Sequence, residues 1–91
     1  MASDTIITYI KNMIKFSCLT CDIIETVEYV DEGSYRKIEI KSDCGKFNVI
    51  KIYSNIEFSI FNTDVGLLYF DGDYALSKFE SYLNNIKFCC G

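Results

Sequence analysis

The sequence predicts a single α+β domain over residues 1–91: an N-terminal helix, a four- to five-stranded antiparallel meander and a C-terminal helix. Three observations support this fold class. Apolar residues recur at helical spacing near both ends, they alternate with polar residues in between, and every connection is short. A meander flanked by two helices favours both helices on one face of the sheet.

The two helices are predicted from their caps and their apolar spacing. Ser3 or Asp4 can cap the first helix. Its apolar side comprises Ile6, Ile7, Ile10, Met13 and Ile14. The break Asp71-Gly72-Asp73 precedes the last helix, and we expect its aspartates to cap that helix. The apolar side of this helix comprises Leu76, Phe79, Leu83 and Ile86.

The strands are predicted from period-two alternation between turn signals. They cover residues 23–30, 35–41, 47–53, 56–61 and 67–70. In the second strand Ile38 and Ile40 share one face while charged residues and Tyr35 share the other, which predicts one face in water.

Two strands carry a less regular apolar pattern. The apolar phase of the third strand flips between Val49 and Ile50, which indicates a bulge or burial on both faces. We expect Ile56 to share a face with Phe58 and Ile60 in the fourth strand. The run 67–70 is wholly apolar, which is typical of a strand covered on both sides or a segment buried under a helix.

Composition limits the classes of function. The chain has 91 residues with an apolar fraction of 49%, enough for one cooperative core but not for a second domain. It contains no histidine, which excludes Ser-His and Cys-His dyads and zinc sites built on imidazole. Short connections leave no long loop to carry a catalytic group. We therefore predict a protein that is not an enzyme and needs no cofactor.

The cysteines are the candidate metal ligands. Cys18-Leu-Thr-Cys21 has the C-x-x-C spacing of either half of a Cys₄ zinc site or a thiol–disulfide redox motif, and Cys44, followed by Gly45, is a further candidate ligand. Ordinary packed thiols are the simpler interpretation, because the motif closes a helix instead of opening one as redox motifs do. The cysteine count of five is odd and the N-terminus lacks an export signal. Both features favour reduced thiols in the cytoplasm of a host cell.

Charge is strongly segregated along the chain, whose net charge is −4. Every charged residue between Lys15 and Arg36, and again between Lys51 and Lys78, is an acid. An acidic strand can imitate a row of phosphates and fit a basic channel, although such acids often only solvate a surface. Tyrosines are enriched at protein interfaces. The candidate partner-binding residues are Asp22, Glu25, Glu28, Asp31 and Glu32, with Tyr29 and Tyr35.

In size, acidity and lack of a catalytic motif, the chain resembles the small inhibitors that phages encode against host defences, the anti-CRISPR proteins among them. This resemblance is one of type and composition. It implies a non-enzymatic protein from a phage or mobile element, a monomer or homodimer, that occludes a basic, nucleic-acid-handling surface of a host defence complex. Direct binding to nucleic acid or membrane is not expected. Two alternatives remain open: a zinc- or thiol-bearing regulatory module using Cys18 and Cys21, or a self-assembling accessory subunit.

Overall fold

A computed structural model describes residues 2–88 of the chain. The elements follow the order α1 (Asp4–Ser17), β1 (Asp22–Val30), β2 (Gly33–Lys41), β3 (Phe47–Ser54), β4 (Glu57–Asn62), β5 (Gly66–Asp71) and α2 (Ala75–Asn85). The strands form one antiparallel sheet in the order β1-β2-β3-β4-β5, and both helices contribute to one core on the same side of it. The predicted α+β meander is confirmed.

The core lies between the helices and one face of the sheet, which we call the helix-side face. Residues three and four apart lie on one side of a helix, so α1 buries Ile7, Ile10 and Ile14 together. In α2, Phe79 stacks on Phe58 of β4 with ring centroids 5.1 Å apart and planes 6° apart. The sheet contributes Ile38, Ile40, Ile50, Ile52, Phe58 and Ile60 to this core.

The two helices begin in different ways. The Ser3 hydroxyl accepts a hydrogen bond from the Ile6 backbone N–H at 3.3 Å, so of the two predicted caps of α1, Ser3 and Asp4, Ser3 is the one formed. The expectation that Asp71 or Asp73 caps α2 is wrong, because the N-cap is Tyr74 and no side chain accepts a bond there. Gly72, at φ +98°, turns the chain so that Asp73 lies one residue before the cap. Among residues 2–88, neither helix is long and apolar enough to cross a bilayer.

The apolar residues of β3 and the start of β4 are placed differently from the prediction. Ile56 lies in the turn before β4 and is exposed, so it does not share the face of Phe58 and Ile60. The register of β3 shifts only between Ile52 and Ser54, well past the predicted flip. The register is regular around Val49, which therefore lies on the opposite face of the sheet from Ile50. The apolar residues of β3 therefore occupy both faces of the sheet.

Candidate binding surface

The sheet face opposite the helices, which we call the open face, carries apolar side chains in register. Val49 lies directly opposite Phe61, and Phe61 lies directly opposite Leu67, so the three form a row across β3, β4 and β5. The next row contains Lys51, Ser59 and Tyr69. Directly opposite residues have Cβ atoms about 4.5–5.5 Å apart, so these side chains touch across the strands.

The apolar side chains on this half of the open face are solvent-exposed. Phe61 is 41% exposed, Leu67 69% and Tyr69 55%, while Val49 and Tyr53 are half-buried beside them. These residues, Val49, Tyr53, Phe61, Leu67 and Tyr69, are called the open-face cluster. They line a shallow depression together with Lys51 and Ser59. Of the two alternatives for the apolar run 67–70, a strand covered on both sides is wrong, since within residues 2–88 no helix covers this face. On the other face, Leu68 and Phe70 pack against the core that includes α2.

Ring contacts extend the cluster along the sheet. The ring centroid of Tyr53 lies 5.3 Å from that of Tyr35 and 6.4 Å from that of Tyr69. The Lys51 ammonium lies 5.3 Å from the Tyr35 centroid, within the range of a cation–π contact. The Tyr69 hydroxyl donates to the Glu57 carboxylate. These contacts restrict the orientations of the three tyrosine rings.

The β1–β2 half of the open face carries paired charged residues, with Ile24 exposed beside them. The Lys37 ammonium lies 2.5 Å from a Glu28 oxygen and 3.4 Å from a Glu39 oxygen. Hydrogen bonding to Lys37 lowers the pKa of Glu28, and the same bond raises the pKa of Lys37. Glu28, a predicted partner-binding residue, therefore already has a cation beside it.

Glu25 lies on the other face, under α1. It accepts hydrogen bonds from Arg36 and from the Lys11 ammonium, the latter at 3.1 Å, and Arg36 also donates to Asp4 at 2.9 Å. The hydrogen bond from Arg36 is the main reason that the pKa of Glu25 is lowered; partial burial opposes the shift and Lys11 adds to it. Glu25 thus ties β1 and β2 to α1.

The structure brings together only some of the predicted partner-binding residues. Glu28 lies directly opposite Tyr35 on the open face, and the exposed Asp31 and Glu32 form the adjoining β1–β2 turn. Tyr29 is 83% exposed but points to the helix-side face. Asp22 begins β1, about 30 Å from Asp31 at 3.3 Å per residue. The acids therefore do not form one continuous row.

The three cysteines within residues 2–88 are disulfide-bonded. Cys18 and Cys21 form a disulfide across a Cα separation of 5.7 Å, and Cys44 is also disulfide-bonded. The expectation of reduced thiols is wrong for these residues, because the turn after α1 brings Cys18 and Cys21 within disulfide range. A disulfide offers zinc no thiolate, so the zinc-bearing alternative requires prior reduction. Within residues 2–88, no group of three or more His, Cys, Asp or Glu side chains is placed to hold a metal ion.

No protein-family model, curated protein or solved structure matches the chain significantly. Sequence reasoning missed Phe61, Leu67 and Tyr69 as candidate site residues. Two sequence features pointed to them: Val49 is apolar but out of phase with Ile50 and Ile52, and the run 67–70 in β5 is apolar at every position. Both features also fit strands buried on both faces.

Proposed function

We propose that this protein is a small, non-enzymatic binding protein that acts by covering part of another protein's surface with its open-face cluster. One observation carries the proposal: Phe61, Leu67 and Tyr69 are exposed side by side on the sheet face opposite the helices. Contiguous apolar patches on soluble domains usually mark interaction sites, whereas single exposed apolar residues do not.

The composition of the cluster fits an interface. Burying a large apolar side chain contributes about 1.5–3 kcal/mol, so several adjacent ones can offset the entropy lost on association. Tyrosine provides rigid apolar area with a polar tip, and Tyr53 and Tyr69 are already held by ring contacts. The cluster therefore resembles the central part of an interface, with charged residues at its margin.

The margin of the cluster favours a partner with basic groups. Glu57 and Asp71 lie directly opposite each other at the end of β4 and β5, and like charges in that position repel. Among the described residues neither forms an ion pair. A lysine or arginine from a partner would relieve this repulsion.

That preference supports the partner class inferred from charge layout, a basic, nucleic-acid-handling surface of a host defence complex. The origin in a phage or mobile element remains part of the proposal. We place the proposed centre of contact on the open-face cluster instead of the acidic residues of β1, because Glu25 and Glu28 already have cations beside them.

The test is capture of a partner from lysate of the native host by four immobilised proteins, with the captured proteins compared by mass spectrometry. Wild type and Ile56→Glu should capture the same partner, since Ile56 is exposed in a turn outside the cluster. Phe61→Glu should reduce capture at least tenfold, because it places a charge at the centre of the cluster. Circular dichroism checks that each variant is folded.

The fourth protein is a triple variant in which Glu28, Asp31 and Glu32 are all replaced by Lys. Loss of capture in this variant, with full capture by Phe61→Glu, would place the contact at the acidic turn and refute the open-face proposal. Equal capture by wild type and both variants would refute both surfaces. Capture that is lost only with Phe61→Glu supports the proposal.

A further inference from the structure

The sheet has two edges, and they differ in chemistry. In the described part of the chain, β1 and β5 each have a neighbouring strand on one side only. An edge strand leaves a row of backbone N–H and C=O groups that another strand can pair with, and proteins protect such edges with charges. The edge strand β1 carries Asp22, Glu25 and Glu28, whereas β5 has no charged residue before Asp71 at its end.

The β5 edge, which carries no charged residue before Asp71, is apolar on both faces of the sheet. Leu67 and Tyr69 are exposed on the open face, while Leu68 and Phe70 are only half-buried on the helix-side face. A strand laid beside β5 would therefore pair its backbone groups and cover apolar side chains on both faces at once. Neither bulge, proline nor lysine interrupts β5.

We propose that the strand that occupies this edge is β5 of a second copy of the same chain, paired antiparallel about a twofold axis. Both copies keep the same face outward in any register in which one β5 residue lies opposite its own counterpart, and centring the joint on Leu68 places the apolar run 67–69 in its middle. With Leu68 opposite Leu68 of the other copy, Leu67 of each copy faces Tyr69 of the other. This register is self-complementary, as a twofold interface must be.

Charge favours this pairing over the other symmetric one. In the β5 pair the two Asp71 carboxylates are carried to opposite ends of the joint, about 20 Å apart at 3.4 Å per residue. Pairing two β1 strands would instead gather Asp22, Glu25 and Glu28 of both copies in one joint. Pairing β5 with β1 would leave a free edge at each end and give open-ended chains.

The dimer would have a continuous sheet with both open-face clusters meeting at the joint. A single edge joint buries less area than a standard protein interface, so we expect a dissociation constant on the order of tens of micromolar. This inference does not rest on the proposed function, because the dimer forms without another partner.

The test is sedimentation of the purified chain from about 1 to 500 μM, a range chosen around that expected dissociation constant. The mass should rise with concentration from 10.5 kDa towards twice that value. Leu67→Lys should weaken association at least tenfold, since it places a charge in the joint of each copy. Ile24→Lys is the matched control: Ile24 is 55% exposed on the open face of the opposite edge, at the other end of the same cross-strand row. It should leave association unchanged.

Amide hydrogen exchange separates an edge joint from stacking of two open faces. Exchange in Gly66–Asp71 should slow as concentration rises, while exchange in Asp22–Val30 stays constant. A chain that stays monomeric up to the highest concentration overturns the proposal. So does equal weakening by Leu67→Lys and Ile24→Lys, or a dimer whose β5 exchange does not change. None of these outcomes depends on capture by Phe61→Glu, so the two proposals can fail separately.

Discussion

Replacing Glu25 with Gln should destabilise the fold without changing the open face, because Glu25 lies on the helix-side face. Glu25 is the shared acceptor of Arg36 and Lys11, and the three side chains are 22–31% exposed. Hydrogen bonds to charged groups contribute about 1.5–3 kcal/mol each when well shielded, and much less at a fully exposed surface. Because the Glu25 carboxylate is partly exposed and has two such donors, we expect Glu25→Gln to lower the free energy of unfolding by about 2 kcal/mol at pH 7.

The pH dependence of this loss has a definite sign. The pKa of Glu25 in the folded state lies below its ordinary value of 4.5, so on acidification the unfolded chain takes up the proton first. The stabilisation by Glu25 is therefore fully present above pH 4.5 and is lost as the pH falls through the lower, folded-state pKa. The difference between wild type and Glu25→Gln should be constant near neutrality and shrink in acid.

The assay is urea unfolding of both proteins at neutral and acidic pH, followed by circular dichroism with the disulfides intact. Glu28→Gln is the control, because Glu28 also pairs with a cation but lies on the more solvated open face. It should cost less than Glu25→Gln. Equal losses in the two variants, or a Glu25→Gln loss that stays undiminished in acid, would refute the assignment of Glu25 to a shielded ion cluster.

Two further predictions concern the elements that support the open face. Phe79→Ala should lower the free energy of unfolding by about 3–5 kcal/mol out of a total of about 5–10, because Phe79 is fully buried against Phe58 and Phe70. Urea unfolding with an unchanged m-value measures this loss, and a loss under about 1 kcal/mol contradicts the prediction. Gly72→Ala should cost about 1–2 kcal/mol, because a Cβ there meets no atom within 4 Å and only the positive φ is strained. An unchanged thermal midpoint would argue against that backbone conformation.

The sequence by itself determined the order and type of the elements, because the periodicity of apolar residues is a local property. The spacing of Ile7, Ile10 and Ile14 is enough to define a helical face, and the pair Ser3-Asp4 is enough to predict a cap at this end of the helix, although not which of the two forms it. Alternation in β2 likewise placed Ile38 and Ile40 on one face and Lys37 on the other. Each of these inferences involves residues that lie within a few positions of one another.

Only the tertiary structure decided which apolar residues are covered and which charges are paired. Period two shows that Leu67 and Tyr69 share a face, but whether that face is buried depends on where the helices pack, and both pack on the other side. The sequence also could not show that Glu25 lies beneath Arg36 and Lys11, since the three come from different elements. Contacts between distant residues are set by packing, and packing decides here whether an apolar strand face is buried or exposed.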